Sequence, residues 1–136
     1  MLQDGVYNKA IYWPEELQIK ITAYQQFKYF LRPTRHYFSR CKKWHLPFNC
    51  YKALMYGEVI EAEIWNNCLM KIVTRLPDRK NKRISLCAVI IPCPGIGEAI
   101  VKTVWLNKTD DNHLTLNKKN YILEKVLTKV EVGDRI

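Results

Sequence analysis

The stretch EVIEAEIWNNCLMKIVTRL, residues 58–76, decides the fold. It holds two segments rich in β-branched residues, and the Asn66-Asn67 pair between them is typical of a tight turn. Two similar segments follow, RISLCAVIIP (83–92) and AIVKTVWLN (99–107), with turn-forming residues again between them. Because sequential strands with short links pair as hairpins, the four segments predict an antiparallel meander.

The residues that lead up to this stretch begin with a predicted helix. In PEELQIKITAYQQF (14–27), Pro14 suits the first helical position, and apolar residues recur every three to four positions. The next segment, KYFLR (28–32), is aromatic and precedes a proline, which favours a strand or an extended segment.

Two more helices are expected before the meander. Thr34 can cap a helix over TRHYFSRCKKW (34–44), because its hydroxyl can accept a hydrogen bond from the first turn. A further helix is predicted over 47–56, with Gly57 ending it in the left-handed conformation.

These elements together predict an α+β fold with two or three N-terminal helices packed on a four- to five-stranded antiparallel sheet. At 136 residues the chain fits a single domain over 1–136, in which 1–27 is either part of the fold or an N-terminal helical extension. The tail segment NYILEKVLTKV (120–130) is expected to form a further strand or a short helix.

The charge of the chain points to an anionic partner. Lys and Arg number 22 against 13 Asp and Glu, so the formal net charge is +9. Such an excess is typical of proteins that bind phosphate backbones, because each cation that meets a phosphate releases counterions. The alternative is that the charge serves solubility alone.

The five cysteines are odd in number and form no Cys-x-x-Cys pair, which argues against a zinc ribbon or a disulfide scaffold. Thiols that are buried as small hydrophobic groups indicate a reducing compartment, so the expected place of action is the cytoplasm. No apolar run approaches the length of a membrane span, and no signal peptide is evident.

The densest cluster of chemically active residues is TRHYFSRCKKWH (34–45), where cations alternate with aromatic rings. This combination suits RNA, because cations meet phosphates while rings stack on unpaired bases. His36 and Arg40 are four residues apart and share a helix face, so an imidazole that moves protons would have a phosphate-binding cation beside it, with Arg35 nearby. The alternative is an amphipathic helix with solvated charges.

The last strand is the second candidate. Strand alternation predicts Lys102 on one face, and Val101, Thr103 and Trp105 on the other. Thr103 can donate a hydrogen bond to a phosphate oxygen, and Trp105 can stack on a base; the alternative is a core tryptophan. On the second strand of the meander, Lys71 and Arg75 can add charge for substrate binding, and Arg35 and Lys102 are the other substrate-binding candidates.

Other chemistries find little support in the sequence. His113 lies in DDNHLTLN (110–117) and is expected to be structural, and the run DRKNKR (78–83) is expected to be a solvated hairpin tip. No group of His and acidic residues has the spacing of a metal site, and neither a phosphate-binding glycine loop nor a nucleophile elbow is present. The sequence therefore predicts no metal and no cofactor.

Two motifs resemble a known group of proteins. The stretch HYFSRCKKWHLPFNCYKALMYGEV (36–59) resembles the His-x3-Arg helix, the break and the Ala-Leu-x2-Gly helix end of small toxin domains. The segments IVKTVWLN (100–107) and NHLTLNKKNY (112–121) are similar to their last strand and tail. The group is the barnase–EndoU–colicin–RelE superfamily of metal-independent ribonucleases, which includes colicin D and many toxin tips of contact-dependent inhibition systems.

The resemblance implies an endoribonuclease toxin that cleaves RNA, with tRNA as the expected substrate, by attack of the 2′-hydroxyl to leave a 2′,3′-cyclic phosphate. In this scheme His36 is the general acid or base, Arg40 binds the phosphate, and Thr103 and Trp105 contact phosphate and base. It also implies an acidic immunity or antitoxin protein as partner, and delivery into the cytoplasm of a target cell as part of a larger secreted protein.

Two other functions fit the same residues. The first is a non-catalytic RNA- or DNA-binding module that uses the basic and aromatic surface. The second is an interaction domain whose charge is incidental.

Overall fold

The computed structural model describes residues 2–9, 12–78 and 84–108. These residues form three helices: α1 (Glu15–Gln26), α2 (Arg35–Trp44) and the single turn α3 (Tyr51–Leu54). The described residues also form six strands: β1 (Gly5–Asn8), β2 (Phe30–Pro33), β3 (Glu58–Trp65), β4 (Cys68–Pro77), β5 (Ile84–Cys93) and β6 (Glu98–Lys108). A short 3₁₀ turn, Pro94–Ile96, joins β5 to β6.

The six strands form one sheet in the order β1-β3-β4-β5-β6-β2. The predicted meander β3-β4-β5-β6 is confirmed, and all of its pairings are antiparallel. The sheet is larger than predicted, because β1 pairs with β3 at one edge and β2 pairs with β6 at the other. It is also mixed, since β2 runs parallel to β6.

The backbone angles test two predictions of left-handed conformation, one of which is correct. Asn66 and Asn67 both have positive φ (49° and 61°), the geometry of the two-residue turn expected between β3 and β4. Gly57 was predicted to end a helix in the left-handed conformation, and that prediction is wrong: Gly57 does not have a positive φ. A glycine suits this position because an added Cβ would crowd the backbone of Arg75, at 3.0 Å from its carbonyl oxygen.

The helices pack on the inner face of the sheet and form the main core. Leu17, Ile21 and Tyr24 of α1 are buried there, together with Tyr37 and Cys41 of α2. The predicted third helix over 47–56 is shorter than expected, because only Tyr51–Leu54 is helical. In sum, α1, α2 and the sheet share one core.

The opposite face, which we call the outer face, carries a second cluster. This outer cluster consists of Ile60, Val73, Cys87, Val89 and Trp105. All five side chains are at most 6% exposed. Among the described helices none is long and apolar enough to span a membrane.

Candidate functional site

Helix α2 carries the first pair of predicted site residues. Thr34 begins the helix as predicted, since its Oγ1 accepts a hydrogen bond from the Tyr37 backbone N–H at 3.0 Å. Tyr37 and Cys41 face the core, which leaves His36 and Arg40 on another side of the helix. Arg40 donates a hydrogen bond from Nε to Nε2 of His36 at 3.3 Å.

In that contact Nε2 of His36 is the acceptor. His36 is exposed, so its side chain can meet a molecule that binds at the surface of α2. The pair therefore places a proton acceptor and a cation side by side.

Helix α2 is fixed against β6 by Thr34. Its backbone N–H donates to the carbonyl oxygen of Val101 at 3.1 Å, and its hydroxyl donates to the carbonyl oxygen of Lys102 at 2.8 Å. The hydroxyl of Thr34 thus caps α2 and also forms a hydrogen bond to β6. The parallel pairing of β2 with β6 ends at Pro33. Helix α2 follows directly and continues along β6 from that point.

Trp44 connects this side of α2 with the outer face. It lies four residues after Arg40 and eight after His36, so the three residues follow one stripe of the helix. Trp44 packs against the outer cluster, which contains Trp105. The stripe that bears His36 and Arg40 therefore borders the outer face of the sheet.

Thr103 and Trp105 lie on the outer face, as their pairing partners Val89 and Cys87 do. Thr103 is partly exposed, whereas Trp105 is only 6% exposed and packs in the outer cluster. The structure brings both residues to the face that α2 borders. The base-stacking role of Trp105 stays a prediction, and it requires the indole ring to become accessible.

The predicted alternation along β6 is wrong at one step. Val101 lies in the main core with Val104, not on the face of Trp105. A β-bulge is responsible: Ile90 pairs with Val101 and Val89 pairs with Thr103, which leaves Lys102 as an extra residue.

Two of the predicted substrate-binding cations, Lys71 and Arg75, form salt bridges with carboxylates of β3. Arg75 Nη2 lies 2.7 Å from Glu58 Oε1, and Lys71 Nζ lies 3.8 Å from Glu63 Oε2. Burial lowers the pKa of Lys71; the charge of Glu61 opposes this shift and the like charge of Lys102 adds to it. Lys71 and Lys102, on strands separated by β5, thus lie near enough to repel each other.

The basic side chains of α2 differ from Lys71 and Arg75 in their ion pairing. Within the part of the chain that the structure describes, no carboxylate forms a salt bridge with the basic side chains of α2, which are Arg35, Arg40, Lys42 and Lys43. Lys43 lies over the ring of Trp44, with Nζ 5.6 Å from the ring centroid. We call these four cations the basic surface of α2; among the described residues they have no carboxylate partner.

Some features of the site were not predicted. The double role of Thr34 and the contact of Trp44 with the outer cluster both depend on how α2 docks, which no local pattern indicates. His113 and residues 79–83 of the predicted hairpin tip lie outside the described residues. In the described ranges, no group of three or more His, Cys, Asp or Glu is placed to hold a metal ion.

Comparison with known proteins adds no relative: no family model, no curated protein and no solved structure matches the chain.

Proposed function

We propose that this chain is a metal-independent endoribonuclease, with tRNA as the expected substrate. The observation that carries the proposal is the contact between Arg40 Nε and His36 Nε2, 3.3 Å long, on an exposed helix face. An imidazole beside a guanidinium suits cleavage by a ribose 2′-hydroxyl, because one group can accept the proton and the other can stabilise the phosphorane.

The reaction would begin when RNA binds to the basic surface of α2. A phosphate attracts the guanidinium of Arg40, whose fork of N–H donors suits phosphate oxygens, and this frees Nε2 of His36. Nε2 then takes the proton of the 2′-hydroxyl as its oxygen attacks phosphorus. The bond to the 5′-oxygen breaks, and His36 returns the proton to that oxygen.

The products are a 2′,3′-cyclic phosphate and a 5′-hydroxyl end. Thr103, on the outer face that α2 borders, would donate a hydrogen bond to a phosphate oxygen. Arg35 and Lys102, both exposed, would bind neighbouring phosphates. Lys71 and Arg75 would contribute less than the cations of α2, because carboxylates of β3 already neutralise them.

The resemblance of the two motifs to ribonuclease toxins extends the proposal to its biological setting. The chain would act in the cytoplasm of a target cell, and a separate acidic immunity or antitoxin protein would cover its basic surface. The unneutralised cations of α2 are the feature that such an acidic partner would bind.

A purified chain incubated with total cellular RNA in EDTA buffer tests the proposal. We expect new ends that carry cyclic phosphates, and we expect their loss in His36→Ala with RNA binding retained. His45→Asn is the matched control, because His45 is also exposed, and asparagine tolerates its left-handed backbone (φ 56°). Intact RNA with the wild-type chain would contradict the proposal.

RNA binding without cleavage in wild type and His36→Ala alike would favour the second candidate, a non-catalytic nucleic-acid-binding module. The basic surface of α2 favours this function too, because attraction of phosphates needs no proton transfer.

A further inference from the structure

Two exposed phenylalanines contact each other, one on α2 and one in the loop after it. Phe38 is 37% exposed and Phe48 is 50% exposed. Their ring centroids are 5.5 Å apart, and the rings are nearly perpendicular, at 79°. Among the described residues, neither ring belongs to the main core or to the outer cluster. Apolar side chains that lie together in solvent mark binding sites more often than single ones do.

Both phenylalanines are held in place by Tyr37, which is fully buried. The Tyr37 ring meets the Phe38 ring edge to face, with centroids 5.2 Å apart. The Tyr37 hydroxyl donates a hydrogen bond to the carbonyl oxygen of Phe48 at 3.0 Å. The pair is therefore ordered before a ligand binds, which lowers the entropy cost of binding.

Two cations flank this aromatic pair. Arg35 precedes Phe38 by three residues and Lys42 follows it by four, so the three side chains share one side of α2. Arg35 and Lys42 are exposed, and within the described ranges neither forms a salt bridge with a carboxylate. Rings between cations suit a nucleotide strand, because a base stacks on a ring while phosphates meet the cations.

The aromatic pair and His36 lie on different sides of α2. Phe38 follows His36 by two residues, which places it about 160° away around the helix axis. Ser39 is exposed on the surface between these two sides. Because a helix with its side chains is only about 10–12 Å wide, one strand that crosses α2 can contact both sides.

We propose that Phe38 and Phe48 form a stacking site for one unpaired base of single-stranded RNA. Arg35 and Lys42 bind the phosphates beside that base. The inference rests on the proposed function, since it takes RNA as the ligand of α2, but it needs no cleavage. It specifies the substrate class, because bases within a double helix are already stacked on each other. A folded RNA would therefore bind through a loop or an unpaired end.

Fluorescence anisotropy with the full chain tests the inference on a labelled single-stranded RNA of about ten nucleotides. The 2′-hydroxyls of this RNA are methylated, so attack by a 2′-hydroxyl cannot cleave it. Phe38→Leu with Phe48→Leu keeps the apolar character and removes the rings, and we expect the Kd to rise about tenfold. Phe38→Tyr with Phe48→Tyr keeps the rings and should bind as the wild-type chain does.

Phe27→Leu with Phe30→Leu is the matched control, because these phenylalanines are 64% and 69% exposed and lie outside α2 and the loop after it. It should leave the Kd unchanged. Arg35→Met with Lys42→Met should reduce the slope of log K against log salt by about 1.4, because each phosphate contact on a single strand contributes about 0.7. The leucine variant of the stacking site should keep the wild-type slope.

Wild-type affinity in Phe38→Leu with Phe48→Leu would overturn the inference and leave the pair as an anchor for a protein partner. A wild-type chain that binds no RNA would overturn it as well. A chain that binds RNA through these rings and does not cleave it would overturn only the proposed endoribonuclease.

Photo-cross-linking of the wild-type chain decides the matter if the leucine variant does not fold. A 5-iodouridine in the same RNA should cross-link to Phe38 or Phe48, because this base reacts with an aromatic ring on which it stacks. Mass spectrometry with peptide fragmentation locates the cross-linked residue. Cross-links confined to Trp44 or Trp105, or none at all, would overturn the inference.

Discussion

Arg40 Nε donates a hydrogen bond to His36 Nε2, so these two residues form one unit on the exposed side of α2. Arg40→Lys keeps the charge but removes the planar donor fork. We expect RNA cleavage to fall about 100-fold, as it does when a donor to a developing anion is lost. Single-turnover rates on a defined RNA measure the effect. Lys52→Met, which removes an exposed cation outside α2, is the control and should cleave normally. Wild-type activity in Arg40→Lys would contradict a joint role of Arg40 and His36.

Thr34 is expected to contribute to stability through both of its hydroxyl contacts. Thr34→Ala removes the cap of α2 and the bond to the Lys102 carbonyl oxygen, and should lower the free energy of unfolding by about 1–2 kcal/mol. Thr34→Ser keeps the hydroxyl and should recover most of this loss. Urea denaturation measures both variants, and equal stability of the alanine and serine variants would count against the double role.

Tyr37 anchors the loop after α2. Its hydroxyl donates to the carbonyl oxygen of Phe48 and accepts from the backbone N–H of Tyr51, both at 3.0 Å, and it contacts Cys50 Sγ. Burial, together with the side chains of Cys50 and Cys41, raises the pKa of Tyr37, so the hydroxyl keeps its proton.

Tyr37→Phe leaves two backbone groups without this partner and should cost about 1–3 kcal/mol of unfolding free energy. Thermal and urea denaturation measure the loss. Tyr56→Phe, which alters an exposed tyrosine, is the matched control and should leave stability unchanged.

Glu58 should make stability depend on acid pH. Burial by itself would raise its pKa, but the hydrogen bonds and charges of Lys9 and Arg75 lower it below the ordinary value. The unfolded chain then binds more protons than the folded one at acid pH. The contribution is present above about pH 4.3, the ordinary value for glutamate, and is lost as the pH falls through the folded value.

Glu58→Gln should therefore lower the free energy of unfolding at pH 7, by no more than about 1 kcal/mol because the ion pairs of Glu58 are partly exposed. It should also make stability depend less on pH on the acid side. Urea midpoints between pH 3 and 7 give both profiles. If they run parallel, the ion pairs of Glu58 do not stabilise the fold.

The strands of the meander could be predicted because their patterns are local. Alternation, β-branched residues and the Asn66-Asn67 turn all lie within the hairpins they specify. Strand β1 gave no comparable pattern: it has four residues and begins at Gly5, and it forms by pairing with β3. The parallel pairing of β2 depends on β6, far along the chain, so a short aromatic segment could not reveal it.

The ion pairs of the sheet show why site electrostatics escaped prediction. A two-residue turn at Asn66-Asn67 would place Glu63 opposite Met70. A bulge between Glu63 and Ile64 shifts this register, and Glu63 pairs with Lys71 instead. The neutralisation of Lys71 therefore rests on one inserted residue that no local pattern indicates, whereas the four-residue spacing of His36 and Arg40 on α2 was readable directly.

The hydrogen bond from Thr34 to Lys102 joins residues 68 positions apart, and this has a consequence for the order of folding. Hairpins between neighbouring strands close short loops, whereas the pairing of β2 with β6 closes a long one and forms more slowly. Because α2 follows β2 directly, His36 and Arg40 reach their place beside β6 only after the meander exists. A chain caught midway through refolding would hold the hairpins and lack the assembled site.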